Sequence, residues 1–192
     1  MLSQTELASW MFPAALKVAE PPILGQKAPT SQKLQVPGPN GSPVMVTFLR
    51  HCGCPFAEKT FLSLRTAAAE HPAIRLVAVS HSDAESTEHW LQALGGLGHV
   101  EVIVDLERES YAAWGLGASR FLHILNPWSM YSVYKFRKEE GIWNRPTESG
   151  TRCQSSGTFA TDGEEVVGWA KPARAADEVP DLAEALEALK MK

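Results

Sequence analysis

The run Val44-Met45-Val46-Thr47-Phe48-Leu49 is almost wholly apolar, and it stops abruptly on Arg50-His51-Cys52-Gly53-Cys54-Pro55. A strand that is apolar at successive positions, and not merely at alternate ones, has to be covered on both faces. It therefore belongs at the centre of a sheet with helices on either side, which makes the chain an α/β fold. From Pro55 the pattern turns helical. Proline suits the first helical position, Phe56, Phe61, Leu62 and Leu64 fall on an inward face, and His71-Pro72 closes the segment.

Strand, cysteine turn and helix together form an arrangement that activates a thiol. The free N–H groups and positive dipole end at a helix N-terminus stabilise a thiolate. Cys54 falls at or beside the N-cap, and Arg50 and His51 stand where they could add positive charge. Cys54 is the expected nucleophile, with Arg50 and His51 tuning it. Cys52 is either a partner thiol or a small side chain filling the strand end. A direct Cys52–Cys54 disulfide would close a tight, strained and easily reduced ring. No metal site is expected, because the remaining cysteine is the distant Cys153 and no C-x-x-C or H-x-x-x-H spacing occurs.

The rest of the chain supplies the partners that such a strand needs. Ile74–Ser80 reads as a second buried strand and Val100–Val104 as a third. Helices are expected over Asp83–Leu94, with Ser82 or Asp83 as cap and Gly95-Gly96 as stop, and over Arg108–Trp114, closed by Gly115. Gly157–Thr161 and Glu165–Trp169 read as a hairpin turned at Asp162-Gly163, and Asp181–Lys190 as a closing amphipathic helix. Residues 1–20 form an N-terminal helical extension, with Leu7, Trp10, Met11 and Ala14 at helical spacing. Residues 117–156 form an aromatic-rich insertion, helical from about Pro127 to Arg137. The 192 residues make a single domain with a mixed central sheet flanked by helices.

Composition narrows the partners. Eighteen basic and 22 acidic residues, scattered along the chain, give no nucleic-acid footprint. No run reaches the length of a membrane-spanning helix, and the first 20 residues lack the pattern of a secretion signal. Three cysteines, an odd number, do not suit a secreted disulfide scaffold. The expected location is cytoplasmic, where thiols stay reduced.

Several segments together resemble the peroxiredoxin-like branch of the thioredoxin fold, the alkyl hydroperoxide reductase and thiol-specific antioxidant superfamily. They are Gly25-Gln26-Lys27-Ala28-Pro29 ahead of the first strand, Val46–Arg50 running into Gly53-Cys54-Pro55, Asp105–Tyr111 with Trp114-Gly115, and Gly157-Thr158-Phe159 with Asp162-Gly163. The likeness spans roughly residues 21–190. It implies a thiol-dependent, antioxidant-type oxidoreductase in which Cys54 attacks a peroxide or disulfide. It also implies a second thiol, Cys153 or Cys52, or an external reductant such as thioredoxin or glutathione, and no bound cofactor. Two elements of the family's peroxidase motif are replaced. Its proline and threonine before the cysteine give way to Phe48-Leu49-Arg50-His51-Cys52-Gly53, and its activating arginine ahead of the Gly-x-Phe strand gives way to Ser156.

The insertion concentrates Phe121, His123, Trp128, Tyr131, Tyr134, Phe136 and Trp143. Such a set packs a core or a homodimer face, or it walls a pocket for a bulky organic substrate. Candidate substrate-binding residues are Phe56, His81, His123, Trp128, Tyr131 and Arg152. His81 follows the second strand, and ligands bind at strand C-termini in open α/β sheets; a helix-capping turn accounts for the same residues. The alternative function is a non-redox, cofactor-free tailoring enzyme of secondary-metabolite biosynthesis, by analogy with fungal-type members that keep a similar Gly-Cys-Pro-Phe turn.

Overall fold

Five strands, β1 (Val44–Phe48), β2 (Arg75–Ser80), β3 (Glu101–Val104), β4 (Gly157–Thr161) and β5 (Val167–Pro172), form one sheet in the order β3-β2-β1-β4-β5. The computed structural model describes Gln4 and residues 15–118, 127–146 and 149–190, with only the backbone course for 127–130. β1 is the central strand, parallel to β2 and antiparallel to β4, and all five of its residues are buried. Its side chains divide by the two-residue period of a strand. Met45, with Leu49 just beyond the strand, joins Phe61, Leu64, Trp90 and Leu186 on one face. Val44, Val46 and Phe48 join Val77, Val79, Tyr111, Trp114 and Phe159 on the other.

The helices supply these two layers. They are α1 (Pro55–Glu70), α2 (Ala84–Ala93), α3 (Glu109–Ala113), α4 (Pro127–Glu140) and α5 (Leu182–Lys190). Phe61 of α1 meets Trp90 of α2 with ring centroids 5.3 Å apart. Asp83 caps α2 by accepting the Ser86 N–H. Below the opposite face, the fully buried Asp105 accepts from the Ser110 N–H at 2.8 Å and sets the start of α3. Phe48 then packs against Tyr111 at 5.0 Å, Trp114 at 5.6 Å and Phe159 at 6.1 Å.

The order and type of these elements follow the sequence expectations, with ends shifted by a few residues. The hairpin differs in kind. Its turn is longer than Asp162-Gly163, since Asp162 Oδ1 accepts from the amides of both Glu164 and Val166, at 3.0 and 2.9 Å. The left-handed residue is Glu165, at φ 68°, and β5 starts only at Val167. Gly163 is required for a different reason: a Cβ there would run into the Gly41 carbonyl. The insertion helix α4 continues to Glu140, where Glu140 pairs with Lys59 of α1. The helix expected in the first 20 residues lies largely outside the described residues, and 15–20 run without helix.

Phe48→Ala should cost about 3–5 kcal/mol of stability, because it empties a site walled by three rings that cannot all collapse inward. Urea denaturation at neutral pH measures this.

Candidate active site

Cys54 is the N-cap of α1, in extended conformation (φ −75°, ψ 126°), with Pro55 opening the helix. Its amide donates to the His51 carbonyl at 3.1 Å, and its carbonyl accepts from the Glu58 amide at 3.0 Å. The thiol makes no capping bond of its own. Its polar neighbour is instead Arg50, whose Nη1 lies 3.7 Å from Sγ. Arg50 is buried, and two loops distant in sequence hold it. Nη1 also donates to the Ala176 carbonyl at 3.3 Å, and Nη2 to the Arg152 carbonyl at 2.7 Å. No carboxylate is among these partners, so the guanidinium charge stays available to the sulfur.

The other expected site residues separate from this pair. His51 cannot supply positive charge: burial, with Arg50 and Arg152 nearby, holds its imidazole well below the usual histidine pKa. Its Nδ1 is spent on the Cys52 carbonyl at 3.1 Å. Cys52 turns the opposite way, into a polar cluster at the end of β2, with Sγ 3.6 Å from Ser80 Oγ and 3.8 Å from Thr87 Oγ1. Burial pushes its thiol pKa up, which opposes the role of a ready partner thiol. His81 belongs to the same cluster. Its Nε2 lies 3.1 Å from the Thr151 carbonyl, and burial lowers its pKa to about 4. It anchors a loop and does not reach a cleft. The same short stretch also caps α2 through Asp83, so the capping account is correct as well.

The insertion covers the turn from outside. The Arg145 amide donates to the Gly53 carbonyl at 2.9 Å, and its side chain pairs with the buried Glu58 at 2.9 Å. Gly53 has φ 103°, and a Cβ on it would stand 2.9 Å from the Arg145 carbonyl. Phe136 of α4 closes on Phe56 at 5.6 Å. None of these contacts is visible in local sequence patterns, because each joins residues about 80 or more positions apart. The one hint is the glycine itself, wedged between two cysteines.

Beside Arg50 a small cleft opens, lined by Thr47, Leu49, Phe56, Ala57, Thr158 and Lys171 among others, with about 20 Å³ of free space. Cys54 lies behind Arg50, only 3% exposed. Phe56, one of the candidate substrate-binding residues, lines this cleft. Tyr131 does not: it is 63% exposed and lines none of the described clefts. Arg152 contributes its carbonyl to Arg50, and Cys153 beside it is fully buried. All three cysteines are free thiols. His123 and the Trp128 side chain lie outside the described residues. Among the described residues there is no metal-holding cluster and no helix long and apolar enough to cross a membrane.

No family model and no curated protein matches this sequence. Solved structures do match in shape. A peroxiredoxin-like protein from Aquifex aeolicus superposes with TM-score 0.64 at 14% identity, over 92% of this chain and 91% of that one. A cysteine mutant of peroxiredoxin 6 from Arenicola marina gives 0.60 at 12%, over 85% and 70%. The yeast mitochondrial 1-Cys peroxiredoxin, studied for thiol resolution via glutathione and thioredoxin systems, gives 0.54 at 16%, over 85% and 73%. The fold is thus the thioredoxin-like α/β fold of the peroxiredoxin-like proteins, as the sequence resemblance implies.

Two outcomes follow from this geometry. In the folded protein His81 titrates near 4 against an ordinary value of 6.5, so the unfolded chain binds more protons between those limits. Stability should be full above pH 6.5 and fall as pH drops toward 4, by about 3 kcal/mol from this residue. Urea midpoints across that range should show a shallower slope in His81→Asn. Separately, Gly53→Ala should lose about 1–3 kcal/mol, through the strained φ and the collision with the insertion.

Proposed function

We propose that this protein is a thiol-dependent oxidoreductase that reduces a peroxide through Cys54. The observation carrying this reading is the Arg50 guanidinium 3.7 Å from Cys54 Sγ, at the N-terminus of a 16-residue helix. A helix N-terminus and an adjacent cation both favour the thiolate, the form that reacts. The peroxiredoxin-like fold supports the same assignment, although fold alone does not dictate chemistry. The family's arginine ahead of the Gly-x-Phe strand is absent, and a guanidinium reaches the sulfur instead from Arg50, four residues before the cysteine.

The chemistry balances without a bound cofactor. The Cys54 thiolate attacks one peroxide oxygen, a sulfur–oxygen bond forms, and the oxygen–oxygen bond breaks with its electron pair. The departing oxygen takes a proton and leaves as water or an alcohol, and the sulfur is now a sulfenic acid. Two equivalents of an external thiol of the glutathione or thioredoxin class return it to the thiol, leaving as a disulfide and water. Cys153 is the internal candidate for the first of these thiols, since it adjoins the carbonyl that holds Arg50. The tailoring alternative needs an organic-sized cavity at the same cysteine, and the cleft beside Arg50 leaves about 20 Å³. The redox reading is therefore the first choice.

Brief exposure to hydrogen peroxide, followed by iodoacetamide trapping and peptide mass spectrometry, tests this. Cys54 should oxidise first and selectively, and Cys54→Ser should abolish turnover. A Cys54–Cys153 disulfide would name the internal partner, whereas a persistent sulfenic acid would leave reduction to the external thiol. Arg50→Met should slow the oxidation by about 100-fold, and Arg50→Lys should restore part of it. Equal, slow oxidation of all three thiols would overturn the reading.

A further inference from the structure

α2 turns one stripe of side chains toward the cysteine turn. His89, Trp90 and Ala93 follow Ser86 by three, four and seven positions, which puts all four on one face of the helix. With Cys52-Gly53 and Arg145-Pro146 they border a cleft of about 170 Å³. It lies across the turn from the thiol and guanidinium described above: Cys52 lines it, whereas Cys54 and Arg50 do not. One wall is fixed by the insertion, because the Arg145 amide holds the Gly53 carbonyl at 2.9 Å. Trp90 is 5% exposed, and its Nε1–H is a buried donor with no partner among the described residues. The one other such atom, His81 Nδ1, belongs to a residue that lines none of the described clefts. A buried N–H without an acceptor is costly, so the fold favours an acceptor in the cleft that Trp90 lines.

The rest of the lining sets the chemistry of that acceptor. Among the described residues no carboxylate borders the cleft, while Arg145 brings a cation to its edge with its side chain 41% exposed. The pair with Glu58 uses Nε and Nη2 of Arg145 and leaves the Nη1 edge outside it. The Trp90 ring, Ala93 and Pro146 make the remaining wall apolar. The volume is many times what one water needs, and smaller than the pocket of a drug-sized ligand. We propose that this cleft binds a small organic monocarboxylate whose apolar body is about the size of a single ring. The carboxylate takes the Trp90 indole N–H and faces the Arg145 guanidinium, and the apolar body lies against Pro146 and the Trp90 ring. A carboxylate accepts through two oxygens, so it serves both donors at once. This site stands apart from the chemistry proposed for Cys54 and does not depend on it.

The test follows the six indole N–H signals of the full chain labelled with ¹⁵N-tryptophan. The Trp90 signal is the one missing from Trp90→Phe, which keeps an aromatic ring against Phe61. Three one-ring probes are titrated at constant ionic strength: benzoate, benzyl alcohol and benzylamine. Benzoate should move the Trp90 signal downfield and saturate with a Kd on the order of 1 mM. Benzyl alcohol should bind at least about 10-fold more weakly, and benzylamine should leave the signal in place. Ala93→Phe changes an exposed residue at the rim, so it should fill the cleft and abolish the benzoate shift while the other five signals and the melting temperature hold. No shift with benzoate up to about 10 mM would overturn the proposal. So would equal shifts from all three probes, or a benzoate shift that survives in Ala93→Phe. A magnetisation-transfer peak between the Trp90 N–H and water that benzoate does not displace would also overturn it, leaving water as the occupant.

Discussion

Burying the Arg50 guanidinium is the constraint from which the site is built. A buried cation must find acceptors, and no acidic side chain provides them here. The backbone does, through the Arg152 and Ala176 carbonyls. These lie in the stretch before β4 and the stretch before α5, so one side chain ties the end of the central strand to two loops that follow it by more than a hundred residues. The same tie aims the remaining N–H on Nη1 at the sulfur. The bonds that hold two loops to the strand end therefore also fix where the guanidinium stands relative to the sulfur.

Much of this was legible in the sequence, and the reason is periodicity. β1 is apolar throughout because it faces two cores, and that pattern alone placed it centrally. Cys54 at a helix start was legible because proline and the helical repeat mark the boundary. Arg50 was legible as a nearby cation, though not as one held by loop carbonyls. Which of its two readings Cys52 follows, and the burial of His51, were not legible, because proximity in sequence does not tell which way a side chain turns. The turn at Gly53 sends Cys54 toward Arg50 and Cys52 toward Ser80 and Thr87, and burial then leaves His51 uncharged. Tyr131 and Phe136 show the same limit within the insertion. They lie five residues apart on α4, yet one is exposed while the other packs on Phe56.

The polar cluster at the end of β2 has a structural role, in line with the helix-capping turn that the sequence offered beside a ligand-binding His81. Ser80, Ser82 and Thr87 bond to one another and to the Cys52 amide and thiol, and Ser82 and His81 reach the backbone of Ser149 and Thr151. Strand C-termini in α/β sheets commonly face ligands. Here the returning insertion packs over that end, leaving a cleft of about 170 Å³ between Cys52-Gly53, Ser86 and Trp90 of α2, and Arg145-Pro146, while a smaller one lies on the β4 side of β1.

The clamp between the insertion and the cysteine turn bears on how far the sulfur can travel. Exposing it to a distant partner would require the first turn of α1 to unwind. Unwinding would break the Glu58–Arg145 pair, the Arg145–Gly53 bond and the Phe56–Phe136 contact at once. Local opening of this kind is governed by the sum of what must be released together. The helix start is thus latched from outside, and the place of the sulfur is tied to that of the insertion.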